Sequence, residues 1–209
     1  RLFCGHTHFA VNNEIIFEGK EVYERSHAAA CGDIWQSNIN IDGTPNGYYV
    51  YTMDGATISN CYYKGANWDK NKQMSVFRAD TDFNGESYAA DWDLPRDRRI
   101  IVANVFNADS RWRITAEENG VEYPMHRINS KGQDAFATGY HHKYAVATSF
   151  RFISKQNSYL IMNHLYYYEP KSAESKIRII ARDPYGHTFT EDAENIVTEP
   201  FFNYAHYYK

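Results

Sequence analysis

The chain has 209 residues, 43% hydrophobic and 23% charged, which is enough to bury a core without disulfide or metal staples. A formal net charge of -4 excludes a basic track along a phosphate backbone, so nucleic acid is not an expected partner. Aromatic residues make up 16%, led by 18 tyrosines, a weight that favours sheet over helix, and no apolar run reaches membrane-spanning length.

In chain order, "FCGHTHFAVNN" (3–13) opens with a short apolar run that ends in Gly-His-Thr-His. In an extended segment residues i and i+2 point the same way, so His6 and His8 would present two imidazoles from one strand end. Two nitrogen donors fall short of the four or more that a divalent centre takes, and taken alone the pair also reads as ordinary loop histidines. "AAACGDIW" (28–35) and "DGTPNGYYVY" (42–51) follow. Aromatic and β-branched runs on either side of Asp54-Gly55 predict a hairpin with strands at 48–53 and 58–64, and "QMSVFRA" (73–79) continues the pattern. The acidic stretch 80–97 has no sustained period and is the expected connection between two regions. Beyond it, strands are predicted at 100–106, 113–117, 159–168 and 176–182. Trp112 and Ile114 are expected on the face opposite Arg113, and Ile100 and Ile179 in one core. The stretch 133–155 stays open between a short helix and a long loop. Together these segments match a small antiparallel sandwich.

Other chemistry finds little footing. Cys4, Cys31 and Cys61 are odd in number and widely spaced, and read as mostly buried thiols rather than a disulfide framework or zinc knuckle. There is no G-x-S-x-G, G-x-G-x-x-G or P-loop. His126, His141, His142, His164 and His187 read as surface or hydrogen-bonded core residues. The aromatic clusters 166–168 and 201–209 offer either a carbohydrate or peptide platform or simple core, because consecutive aromatics in a strand fall on both faces.

The order of apolar strand, Gly-His-Thr-His and polar loop resembles the last metal-binding motif of the calcineurin-like metallophosphoesterases. "AAACGDIW", "DGTPNGYYVY", the Tyr-Tyr-Lys-Gly arm at 62–65 and "RDPYGHTFTED" (182–192) are similar, in the same order, to the C-terminal part of one bacterial branch of that family. The resemblance implies a fold that is mainly β, with remnant strands of a calcineurin-like phosphoesterase sheet, 28–35 as a strand and 42–51 as a turn opening the next one, followed by an immunoglobulin-like β-sandwich. The expected division is 1–79 for the C-terminal part of the phosphoesterase domain, 80–97 for the linker and 98–209 for the immunoglobulin-like domain.

The resemblance also implies that His6 and His8 ligate the two ions of a binuclear centre of divalent metal, Mn, Fe or Zn, which hydrolyses phosphate mono- or diesters. The family's Asp-x-His, Gly-Asp-x-x-Asp and Asn-His motifs lie ahead of Gly-His-Thr-His, and none precedes Gly5 here. Gly32-Asp33 follows the motif and has Gln36 in place of the second Asp, so it takes no catalytic role. The expectation is therefore a C-terminal fragment whose partner is the N-terminal catalytic portion of the same polypeptide. Alone it would be inactive, would bind no ion tightly and would be prone to self-association through exposed strand edges. A periplasmic or secreted bacterial location goes with that branch. The competing expectation is a non-catalytic sandwich that binds a glycan or protein partner.

Overall fold

The computed structural model describes residues 1–32, 38–79, 94–95, 98–128, 134–137 and 163–193. These residues form thirteen strands in four sheets, and helix is confined to 135–137 and the single residue 193. The protein is thus mainly β, as its aromatic composition predicts. No helix among the described residues is long and apolar enough to cross a membrane.

The first sheet holds β1 (Leu2–Cys4), β2 (Val11–Phe17) and β3 (Lys20–Ser26) in the order β1-β3-β2. β2 and β3 form a hairpin across Glu18 and Gly19, both at positive φ (49° and 72°), the geometry a two-residue turn needs to match strand twist. β4 (Gly47–Asp54) and β5 (Thr57–Gly65) form the hairpin expected at Asp54-Gly55, with a register shift at Thr52/Met53.

β6 (Met74–Arg78), β7 (Ile101–Val105), β10 (His126–Arg127) and β11 (Leu165–Tyr168) make a four-stranded antiparallel sheet in the order β10-β11-β7-β6. β8 (Arg113–Glu118), β9 (Val121–Pro124), β12 (Ile177–Arg182) and β13 (Thr188–Asp192) make the second, in the order β13-β12-β8-β9. The two face each other across a core that includes Met74, Ile101, Ala103, Tyr166, Ile114, Ile179 and Phe189. Trp112 and Ile114 are buried while Arg113 is exposed, as their alternation requires. β6, which precedes residues 80–97, pairs along its length with β7, which follows them.

Every residue of β7 is buried, because its sheet is covered on both faces. Ile101, Ala103 and Val105 point into the sandwich. On the other face Val102, with Phe77 and Leu165, packs against Ile39 and the helical turn at 135–137. Ile100 belongs to this second cluster and Ile179 to the first, so the expectation of one shared core is corrected: Ile101 is the partner of Ile179. A strand buried on both faces has lost the alternation that would fix its phase.

Two further expectations change. Ala28 and Ala29 have no regular structure and Ala30 to Gly32 form a turn, in place of the strand expected over 28–35, and 33–35 lie outside the described residues. Of the three thiols only Cys61 is buried, whereas Cys4 and Cys31 are partly exposed. Most of 80–97 and 133–155, the first part of 159–168, His141, His142 and 201–209 also lie outside the described residues.

Candidate functional site

The Gly-His-Thr-His segment is a bend over the end of β3. Cys4 and Val11 both stand opposite Ser26, one on each side, so residues 5–10 must cross from one flank of β3 to the other. His27 N–H donates to the Cys4 carbonyl at 2.9 Å, and the Thr7 and Ser26 hydroxyls meet at 2.8 Å, which pins the middle of the crossing.

His6 and His8 both adopt left-handed backbone conformations, φ 78° and 60°. For a side chain with Cβ this costs roughly 1–3 kcal/mol each, and such strain persists only where the surroundings enforce it. The bend also corrects the picture of an extended pair: the two imidazoles are brought out by a turn, not by strand alternation. His6 is exposed and His8 half-buried. His8 Nδ1 lies 3.8 Å from Cys31 Sγ, and the Cys31 thiol donates to the Gly32 carbonyl at 3.6 Å.

The exit of the bend is held by a buried carboxylate. Ala10 N–H donates to Asp42 Oδ2 at 2.6 Å, while Thr44 gives its N–H and hydroxyl to Asp42 Oδ1 at 3.1 and 2.7 Å. Asp42 therefore both closes the Asp-Gly-Thr-Pro turn and grips the chain emerging from Gly-His-Thr-His. The turn also holds the Ala28–Gly32 segment: Ala29 N–H donates to Asn40 Oδ1 at 3.2 Å, and Asn46 Nδ2 to the Ala30 carbonyl at 3.1 Å. These side chains satisfy the local backbone in place of a strand partner.

Beneath the turn lies a polar cluster with no exposure to solvent. Asn104 of β7 donates Nδ2 to the Asp42 carbonyl (2.6 Å) and to Asp134 Oδ2 (3.0 Å). That fixes its amide, so Asn104 Oδ1 accepts from His164 Nδ1 at 2.7 Å, and His164 Nε2 stands 3.5 Å from Asp42 Oδ2. Burial pushes the Asp134 carboxyl up to about 6. Gly43, at φ 81°, has no room for a Cβ, which would stand 2.4 Å from the Asp134 carboxyl carbon. Next to His164, Asn163 accepts from Asn12 N–H at 3.2 Å and donates to the Asn12 carbonyl, copying a ladder pair onto the first residues of β2. Arg25 of β3 completes the attachment, reaching Asp109 at 3.0 Å and Asn107 at 2.9 Å.

Of the residues the sequence singled out, the structure brings His6 and His8 together on one bend. His164 stands beneath that bend, bonded through Nδ1 to Asn104, while its Nε2 near Asp42 has no hydrogen-bond partner among the described residues. His126 and His187 serve elsewhere, the first against the Tyr167 ring and the second on Asp183 at 2.6 Å. Asp42, Asn104, Asn163 and Cys31 carry the support; the sequence pointed to Asp42 through Asp-Gly-Thr-Pro and to Cys31 through "AAACGDIW", and to neither asparagine. Among the described residues, no group of three or more His, Cys, Asp or Glu converges as a metal site would. Two imidazoles fit two positions on a divalent ion of borderline softness, and a complete centre needs donors beyond those described.

No curated protein and no solved structure is similar enough to this chain to count as a match. A family model described as the C terminal of calcineurin-like phosphoesterase matches residues 24–189, a span that contains the Asp42 turn and both sandwich sheets and begins after His6 and His8. The chain belongs to the family of C-terminal regions of calcineurin-like phosphoesterases.

Proposed function

We propose that this chain is the C-terminal part of a metal-dependent phosphoesterase, with His6 and His8 as two ligands of a two-metal centre and the remaining donors supplied by the catalytic portion of the same polypeptide. The family match is the observation that carries the reading. The bend supports it, since two histidines held in left-handed conformations by hydroxyl, thiol and carboxylate partners are a costly way to build an ordinary loop. Two divalent ions at such a site supply positive charge against the phosphate oxygens and a nucleophilic water at neutral pH. This chain's own part is to hold two imidazoles at a fixed separation and to brace them on the sandwich. In this reading the sandwich is the immunoglobulin-like accessory domain, and the location is outside the bacterial cytoplasm.

The test is hydrolysis of an aryl phosphate and of a phosphodiester with Mn²⁺ or Zn²⁺ by the polypeptide that joins this chain to its catalytic portion. Turnover that disappears in the His6→Ala, His8→Ala variant, with the fold intact and this chain alone inert, is the expected result. Turnover indifferent to both substitutions would leave the chain as a binding module for a glycan or protein partner.

A further inference from the structure

The His8 ring has one nitrogen engaged and one free. Nδ1 meets Cys31 Sγ at 3.8 Å, and Nε2 has no partner among the described residues. Cys31 carries a single proton, and its sulfur also lies 3.6 Å from the Gly32 carbonyl, which can only accept. With the thiol proton on Gly32 and the His8 proton on Nδ1, both contacts are hydrogen bonds. With the thiol proton directed at Nδ1, only one is, and sulfur faces the carbonyl oxygen without a proton between them. The first arrangement satisfies more groups and uses the stronger N–H donor. Thr7 and Ala10, pinned on either side of His8, fix the backbone from which the ring projects.

We propose that Cys31 is a positioning residue that holds His8 as its Nδ1–H tautomer, reserving the Nε2 lone pair for a divalent cation. Metal-bound histidines are commonly oriented through their other ring nitrogen, usually by a carboxylate, carbonyl or water. Here a thiol with its own carbonyl acceptor takes that place. The metal half of the inference rests on the two-metal reading, whereas the tautomer stands on the contacts alone.

Long-range proton–nitrogen spectra of the ¹⁵N-histidine-labelled chain at about pH 8, where an ordinary imidazole is neutral, separate the two halves. With His8 assigned by its loss in His8→Ala, the wild-type ring should report Nδ1–H, the less populated form of an unstructured histidine. Cys31→Ala should return it to Nε2–H, and Cys31→Ser, which both donates and accepts, should keep Nδ1–H. Zn²⁺ should then perturb His8 at Nε2, with affinity falling about tenfold in Cys31→Ala and recovering in Cys31→Ser.

A wild-type Nε2–H ring, or a tautomer unmoved by Cys31→Ala, overturns the assignment to Cys31 even where Zn²⁺ binds. Affinity lost in both Cys31 variants makes sulfur a direct ligand and overturns the positioning role. Zn²⁺ that disturbs neither His6 nor His8 overturns the metal reading, with the tautomer result left standing.

Discussion

The central sheet of the sandwich and the N-terminal three-stranded sheet draw on similar residues and treat them differently. In the first, Phe77, Val102 and Leu165 are sealed under Ile39 and the 135–137 turn, while Ile101 and Ala103 face the opposite sheet. In the second, Leu2, Phe3, Ile15, Ile16 and Phe17 are all exposed, Ile16 at 72%. One region covers itself with its own chain. The other shows a run of large apolar side chains of the kind that marks an interaction surface, and under the proposed function the catalytic portion covers it.

The sharpest way to break this contrast is to empty a position in the sealed region. Phe77→Ala should cost about 4 kcal/mol in urea unfolding, transfer loss plus cavity, because both faces of its sheet are already filled. A loss under about 1 kcal/mol would mean that the second face is not a core.

Next comes the carboxyl beneath that sheet. Burial raises Asp134 from 3.8 to about 6, so between those values the folded protein holds a proton that the unfolded chain has released. Stability contributed here therefore falls as pH rises from about 4 to 6, by up to about 3 kcal/mol at 1.36 per unit. Glu118 and Glu122, held low, act in the opposite direction in the wild type. The readout is accordingly the difference between wild type and Asp134→Asn across that range, and a flat difference would contradict the upward push of burial on the Asp134 carboxyl.

A smaller effect is expected where the two regions are joined. Asn163→Ala leaves the Asn12 N–H and carbonyl without their partner and should cost about 1–3 kcal/mol, with faster amide exchange at Asn12. Ile16→Thr, at the exposed end, should change stability by no more than about 0.5 kcal/mol while reducing self-association in sedimentation.

The same contrast explains what could be read from sequence. β8 and β12 were legible because one face is polar, and β4–β5 because Asp54-Gly55 separates two aromatic runs. The β2–β3 hairpin was missed. Its turn is Glu18-Gly19 rather than Asn-Gly, and exposed Ile15, Ile16 and Phe17 break the alternation of a half-buried strand. The strand expected at 28–35 came from the resemblance and not from any period in these residues, and Asn40 and Asn46 instead hold the backbone of Ala29 and Ala30 in a turn.

At the site, the Gly-His-Thr-His motif made His6 and His8 visible, but not their left-handed geometry. Asp42 was visible only as part of Asp-Gly-Thr-Pro, whereas Asn104, Asn163 and His164 sit in no motif, because a lone amide or imidazole whose partner lies 60 or 151 positions away leaves no period in the sequence.

The central claim, that the bend offers two metal ligands and not a complete centre, is tested most directly by titrating this chain with Mn²⁺ and Zn²⁺ in a calorimeter beside its His6→Ala, His8→Ala variant. The account predicts weak binding by the wild type and none by a folded double variant. Tight binding by the wild type, or binding that survives both substitutions, would contradict it.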